Sequence, residues 1–452
     1  MKKAEITVFL SLVFVLVVSF VLGILQITVI HISKNLSRLA TDRAVFSVFG
    51  EYQIQLFEDY HVFAIDGSYG SGGFSQEKII GRMHYYGGDG TDHEVTGIQF
   101  LTDNDGQAFR EQVLTYMEET YGIGLIRDFT GLTGEWKEQE IQAVKIEKKE
   151  ETMLEELEDL KESTGTLEGS PFTCVEQIEN AGILSVVMPK DMELSGKSIS
   201  PDRQSSRRGL HKGNGNFPAR QAMDGISEKL LFNEYVLDSF INAAGGEEKN
   251  RSLSYEVEYI LTGKESDKEN LESVLLKLFF IRMALNYVYL QGDSEKQAEA
   301  EALALTISII LLIPEGMEVL KQLILLAWVT GESVADIRTL LSGGKAPLVK
   351  TKENWSLSLS ELLTLRGGAE QLQGTDEQEG ISYKDYLRIF LFLGDSDEVT
   401  MRSLDRIEEN LASEHGLDNF RADQCVTKIE MKNVAMLFEE LKYTYPVCFG
   451  YE

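Results

Sequence analysis

ITVFLSLVFVLVVSFVLGILQITVI, residues 6–30, runs for 25 residues without an Asp, Glu, Lys or Arg, and the uncharged run continues through Ser33. At ~1.5 Å per helical residue it spans ~37 Å against ~30 Å of hydrocarbon, so one tilted helix crosses a bilayer. Its hydroxyls can bond back to the helix, which leaves Gln26 as the one costly polar side chain. A cleaved secretory signal is the rival reading, because Lys2 and Lys3 make a short basic start. The run exceeds the ~7–15 residues of a signal core, and no A-x-A-like site follows it. The expectation is an uncleaved anchor.

Basic residues flank both ends: Lys2 and Lys3 before the span, Lys34, Arg38 and Arg43 after it. The charge rule alone is close to a tie. A five-residue tail is no domain, so the N-terminus is expected in the cytoplasm and the remainder outside the cell membrane, in a single-pass arrangement. Of 452 residues, 43% are apolar and 26% charged, the balance of a folded chain. Seventy-three acids against 43 bases leave a net charge of −30, a field that repels nucleic acid, which is therefore not an expected partner.

Working outward, no Pro occurs before Pro171 and the first Gly after the span is Gly50. Leu36, Leu39, Phe46, Phe49, Leu56 and Tyr60 fall near helical spacing, with Val45, Val48 and Tyr52 widening the stripe. One helix therefore continues from the span into a stalk, and its apolar face needs a cover from its own domain or from a neighbouring subunit. The expected layout is a tail at 1–5, a transmembrane helix at 6–30 and a stalk helix at 31–60. A mixed segment follows at 61–189, with a charged helix at 145–162, solvent-facing or bridging, striped by Met153, Leu154, Leu157 and Leu160. Residues 190–220, polar and basic, read as a flexible loop, and 221–452 as a C-terminal α+β region. Within it SYEVEYIL (254–261) alternates like a strand, and Ser266 with Glu269 suits a capping box. ALALTISIILLIP (302–314), too short to span a bilayer, and KQLILLAWVTGESVADIRTLL (321–341) read as packed core helices, with a re-entrant or second membrane contact as the alternative for the first. SYKDYLRIFLFLG (382–394) and TMRSLDRIEENLASEHG (400–416) are further helices, with strands at 425–436 and at the C-terminus. The fold class is helix-rich α+β.

Catalytic patterns are sparse. The six histidines include no HExxH and no i, i+4 pair. His84 and His93 share a Gly-rich acidic stretch and could meet on a metal, against the plainer reading of two loop histidines. Asp103-Asn104-Asp105-Gly106 begins like a calcium loop, but the later ligands and the closing Glu are missing, which favours a turn. Ser342-Gly343-Gly344-Lys345 fits S-x-x-K without the companion motifs of that chemistry. Cys425 and Cys448 sit in two strand-like segments and could be bridged, or all three cysteines could be buried thiols. No enzyme, cofactor or metal is expected.

The segments MKKAEITVFLSLVFVLVVSFVLGILQ, FEDYHVFAIDGSYG, SYEVEYILTGKESDKENL and LLAWVTGESVADIRTLLSGGKAPLVKTKENWSLSL together resemble an uncharacterised family of single-anchor membrane proteins of Gram-positive bacteria. Its members are similar at the N-terminus to minor pseudopilins of the tight-adherence (Flp-type) pilus system. The resemblance implies a non-enzymatic assembly role, with membrane lipid and other pilin-like or secretion-system subunits as partners. The apolar face makes Phe46, Phe49 and Leu56 candidate assembly residues, and Glu5 is a fourth, read either as an interfacial carboxylate that reaches headgroup water or, as the resemblance implies, as standing where pilins carry an acid that neutralises a neighbour's terminal amine. The chain departs from a standard prepilin in that no leader ending in Gly comes before the helix. The alternative is a stand-alone, membrane-tethered extracytoplasmic binding or sensor domain. Neighbouring genes for a secretion ATPase and a membrane platform separate the two.

Overall fold

The structure is a computed structural model and describes residues 2–121, 132–164, 171–190, 192–218, 225–245, 250–311, 316–364, 372, 374–437 and 441–451. The chain divides into two compact units. The first comprises residues 1–112, 209–221 and 415–452, the second 113–208 and 222–414. The class is α+β with helix dominant.

The first unit begins with α1 (Lys2–Phe49), long and apolar enough to cross a membrane, whose most apolar stretch is uncovered by the rest of the chain. The helix stops at Phe49 and does not reach Tyr60, which corrects the stalk expected over 31–60. Glu51 N–H bonds the Val48 carbonyl, tightening the last turn, and Gln53 N–H goes to Ala64 O, so the chain folds back. Leu56 and Tyr60 then reach the core from a separate helix, α2 (Ile54–Tyr60), closed by His61 in the left-handed region at φ 56°.

Four strands follow that helix pair: β1 (Ile65–Asp66), β2 (Thr91–Phe100), β3 (Cys425–Met436) and β4 (Lys442–Gly450). They form one antiparallel sheet with β3 central. β2 pairs along one side of it, from Thr91↔Ala435 to Phe100↔Val426, and β4 along the other, from Lys428↔Gly450 to Met436↔Lys442. Val426, Ile429 and Met431 of β3 turn inward to Ala44, Val45, Val48 and Phe49 of α1 and to Ile79 and Met83 of α3 (Gln76–Met83). Cys425 stands opposite Asp66 and Cys448 opposite Glu430, so both stay free thiols. Cys448 is also exposed, which departs from three buried thiols. Helix α4 (Asp103–Tyr121) leaves the end of β2.

The second unit is helical: α5 (Thr133–Thr164), α6 (Thr173–Ala181), α7 (Ile226–Ser239), α8 (Glu256–Thr262), α9 (Asp267–Gly292), α10 (Ser294–Leu311), α11 (Met317–Leu341), α12 (Tyr383–Leu393) and α13 (Ser396–His415). α11 is buried on every side from Leu323 to Leu341, its charged members Glu332, Asp336 and Arg338 included. α9, capped by Ser266 accepting from Glu269 N–H, packs between α5 and α11. Helix α12 starts on a reciprocal Ser382–Asp385 capping box.

Three expectations change. SYEVEYIL is not a strand: Glu256–Thr262 is α8, and the alternation misled because its polar members, Glu256 and Glu258, are themselves fully buried. Burial on both faces erases the in–out contrast that period two reports. Helix α5 is longer than the predicted 145–162 and is no solvent-facing rod, since Trp136, Ala143, Ile146 and Leu157 are covered and it packs on α9. The Met153 and Leu160 side chains lie outside the described residues. The expected flexible loop at 190–220 is pinned where it belongs to the second unit, Gln204 and Ser205 being buried and Arg208 gripping Glu408 at 2.7 and 2.8 Å. Arg203 and Arg208 face Glu409 and Glu408 of α13, and Arg207 faces Glu265, all within the same unit. Residues 191, 219 and 220 of that stretch, and Pro314 after α10, lie outside the described residues.

Candidate functional site

The candidate assembly residues all fall on α1 and its continuation, but the structure divides them. Thr41, Ala44, Val45, Val48 and Phe49 face the sheet and are covered. Leu36, Leu39 and Phe46 remain 60, 66 and 68% exposed. With Ile32 they recur at steps of four, three and seven residues, one stripe of a helix, and Arg43 occupies the intermediate place. Leu56 lies at the core on α2, so it is no part of this stripe. Glu5 sits exposed in the first turn of α1.

The covered side is built by β4. Its sequence KYTYPVCFG alternates so that Tyr443, Tyr445, Val447 and Phe449, and then Tyr451, point one way, onto α1. Contacts advance in the same direction along both elements. Lys34 lies over the Tyr443 ring and Arg38 over Tyr445, while Thr41 and Tyr445 share a buried hydroxyl hydrogen bond of 2.7 Å. Tyr445 also donates to the Ser37 carbonyl at 3.0 Å. Further along, the Phe449 ring stands 4.9 Å from Phe49 and 6.1 Å from Phe46, and Tyr451 donates to Phe49 O at 2.5 Å. Ile30, the last residue of the apolar run, packs beside the Ala435, Leu437 and Tyr445 cluster. The basic and aromatic girdle thus begins where the uncharged stretch ends, the placement favoured at a membrane interface.

The base of the stem is locked by charge. Arg82 of α3 pairs with Glu51, which also accepts from the Tyr86 hydroxyl at 2.7 Å. Burial works to raise Glu51, but the Arg82 guanidinium and the Tyr86 hydroxyl overcome it and hold the carboxyl below its usual value. Gly87 lies beside Arg43 at φ 98°, a left-handed backbone conformation that favours glycine.

Other sequence candidates resolve plainly. His84 and His93 do come together, ring centroids 5.3 Å apart. Both ring nitrogens of His93 are already engaged, with Asn433 Oδ1 at 2.6 Å and Gly88 O at 3.2 Å, which leaves the pair poorly suited to a metal. Asp103–Gly106 is a turn, with Asn104, Asp105 and Gly106 at φ 51, 55 and 79°. Lys345 of the S-x-x-K stretch is exposed, pairs with Ser382 in a two-residue strand and donates to Gln378 O at 3.4 Å.

Sequence reasoning missed the buried charges of the second unit. Arg282 (α9) meets Asp336 (α11) at 2.6 Å, Lys350 reaches Asp336 at 2.7 Å and Glu332 at 2.5 Å, and all four side chains are fully buried. Glu332 also accepts from Ser356 and Leu357 N–H. Burial alone would raise Asp336, but Arg282 and Lys350 outweigh it and keep it ionised. Two cations and two anions thus close on themselves, which marks a structural clamp more than a reactive centre. Nothing in the local pattern could reveal it, because Arg282 and Lys350 belong to different segments.

Residues 160–436 match a family described as one of unknown function (DUF5702). No curated protein and no solved structure matches the chain.

Proposed function

The chain belongs to the DUF5702 family, and from that premise we propose that it is a non-enzymatic, membrane-anchored surface component: a minor pseudopilin-like or assembly subunit of a tight-adherence pilus or secretion apparatus. In this reading α1 crosses the cell membrane with its N-terminus in the cytoplasm, and both units lie outside.

The observation that carries the reading is the bare stripe of Leu36, Leu39 and Phe46 on a helix whose other side is covered by its own sheet, by α3 and by residues 84–88. These residues lie beyond the uncharged run, where the surroundings are no longer hydrocarbon. An apolar strip there, broken at Arg43, asks for a protein cover. Its extension upward through Ile32 into the span is the geometry of a helix meant to pack lengthwise against other membrane helices. A lone tethered domain would leave the strip without a use.

The test is a photo-crosslinking amino acid placed at Leu39, with the buried Thr41 as control, in cells that produce the protein from its own locus. Adducts at Leu39 to a subunit with a single N-terminal apolar helix are the expected result. Labelling at Leu39 no greater than at Thr41 would sink the reading.

A further inference from the structure

The hairpin of β3 and β4 ends beside the apolar run of α1, and its own end is apolar. Past the Met436↔Lys442 pair, Leu437 N–H donates to Leu441 O at 2.9 Å and closes the ladder. Leu437 is covered, in one cluster with Ala435 and Tyr445 against which Ile30 of α1 packs. Met436 and Leu441 are not covered and stand 52 and 47% exposed. Residues 438–440 lie outside the described residues.

The level of this tip follows from the rise of the two elements that approach it. Lys34 lies over the Tyr443 ring. From Tyr443 to Leu441 the strand advances ~6.6 Å, and from Lys34 to Ile30 the helix advances ~6 Å. Leu441 therefore stands level with Ile30, three residues inside the uncharged run that ends at Ser33. A hydrocarbon core of ~30 Å takes up about 20 helical residues. Centred on the run from Ile6 to Ser33, it ends next to Ile30, at the boundary between acyl chains and headgroups.

That level selects the occupant. Water is a poor surrounding for two large apolar side chains at one hairpin tip. The hydrocarbon interior is a poor one for the backbone: β4 is an edge strand, and β2 reaches no further along β3 than Ala435, so the strand ends carry N–H and C=O groups that no described strand pairs. The boundary layer suits both, since side chains reach the acyl chains while the backbone stays among hydrated headgroups. Tyr443 and Tyr445, with Lys34 and Arg38 over their rings, form the collar that such a depth favours. Charge does not drive the contact. Lys442 is exposed, but residues 439 and 440 are acids, and Asp92 and Glu94 of β2 stand opposite Val434 and Lys432 a little further from the tip. A helix packed on the bare stripe of α1 would lie across α1 from the sheet, away from the tip. We infer that the β3–β4 tip is a membrane-docking surface, with Met436 and Leu441 inserted at the acyl–headgroup boundary of the leaflet through which α1 emerges. The first unit then stands on the bilayer at two points instead of swinging on one stem. The inference rests on α1 crossing the membrane, one part of the proposed reading, and on no assembly partner.

The experiment uses the full chain with Cys448→Ser, which leaves only the two buried thiols, in phosphatidylcholine nanodiscs. Met436→Cys, Leu441→Cys, Val18→Cys and Glu58→Cys, one at a time, carry a nitroxide. Its collisions with oxygen, which concentrates in lipid, and with a water-soluble nickel chelate are read by electron paramagnetic resonance, and thermal unfolding checks that each labelled chain keeps its fold. Val18, at the middle of the run, and Glu58, exposed on α2, set the lipid and water limits. The oxygen-to-nickel ratio at Met436 and Leu441 should be several-fold above that at Glu58 and below that at Val18, and unchanged when phosphatidylglycerol is added. A lipid-like ratio at Val18 with a water-like ratio at Met436 and Leu441 would overturn the docking surface and leave the span intact. A water-like ratio at Val18 would overturn the crossing and the docking with it. Tip labels shielded from both reagents, or lipid-like only with phosphatidylglycerol, would overturn insertion in favour of protein cover or headgroup attraction.

Discussion

Phe46 and Phe49 are neighbours on α1 with opposite surroundings, and truncating each to alanine separates folding from assembly. An aromatic side chain carries ~150–250 Å² of surface, so Phe46, 68% exposed, has roughly 100–170 Å² left to cover. At ~25 cal/mol per Å² a partner that covers it fully gains about 3 kcal/mol, roughly a hundredfold in Kd. Phe46→Ala should therefore leave the melting temperature nearly unchanged and cut co-purification with partner subunits from native membranes by an order of magnitude or more. Phe49 is 3% exposed, its ring 4.9 Å from Phe449 and 5.1 Å from Tyr451. Removing a buried phenyl ring costs ~3–5 kcal/mol, lost contacts plus the cavity left behind, so Phe49→Ala should unfold the first unit many degrees earlier. Both quantities come from one preparation: thermal unfolding by circular dichroism, and quantitative recovery of partners. If Phe46→Ala lowers the melting temperature as much as Phe49→Ala and leaves recovery at the wild-type level, the division of α1 into a folding face and an assembly face is wrong.

Glu5→Gln should insert into the membrane normally and lose recovery with the pilus machinery; a mutant that inserts and co-purifies as the wild type does would reduce Glu5 to an interfacial carboxylate. Protease added to intact protoplasts should remove almost the whole chain beyond Ser33, and protection of both units in sealed cells would reverse the proposed orientation. Burial pushes Glu258 up to about 7, above its value in the unfolded chain, so the folded state holds a proton that the unfolded state has released. The second unit should therefore lose stability as pH rises from about 4.5 to 7, by about 3 kcal/mol from this group. Glu258→Gln, which keeps an acceptor for Ala243 N–H and Tyr383 Oη, should flatten that slope in urea unfolding. A slope as steep in the mutant would assign it to other carboxylates.

Much of the architecture was legible because it is written in local periodicity. The uncharged run at 6–30 reads as a membrane-length helix, CVTKIEMKNVAM and the last residues of the chain as strands, and Ser266 with Glu269 marks the start of α9. Each of these is a statement about side chains a few positions apart. The places where the reading changed are those where distant segments meet. SYEVEYIL alternates, but whether its glutamates face water or a buried set of partners depends on Arg251, Asn410 and Tyr383, brought in from elsewhere in the second unit. The stop at Phe49 follows from the hydrogen bond between Gln53 and Ala64, and the level of the β3–β4 tip from the packing of Ile30 on strands at the other end of the chain. Sequence determined which side chains of α1 share a face, since helical pitch alone sets that. Only the tertiary structure decided which face β4 would cover and which would be left bare, because burial is a property of the neighbours a face acquires.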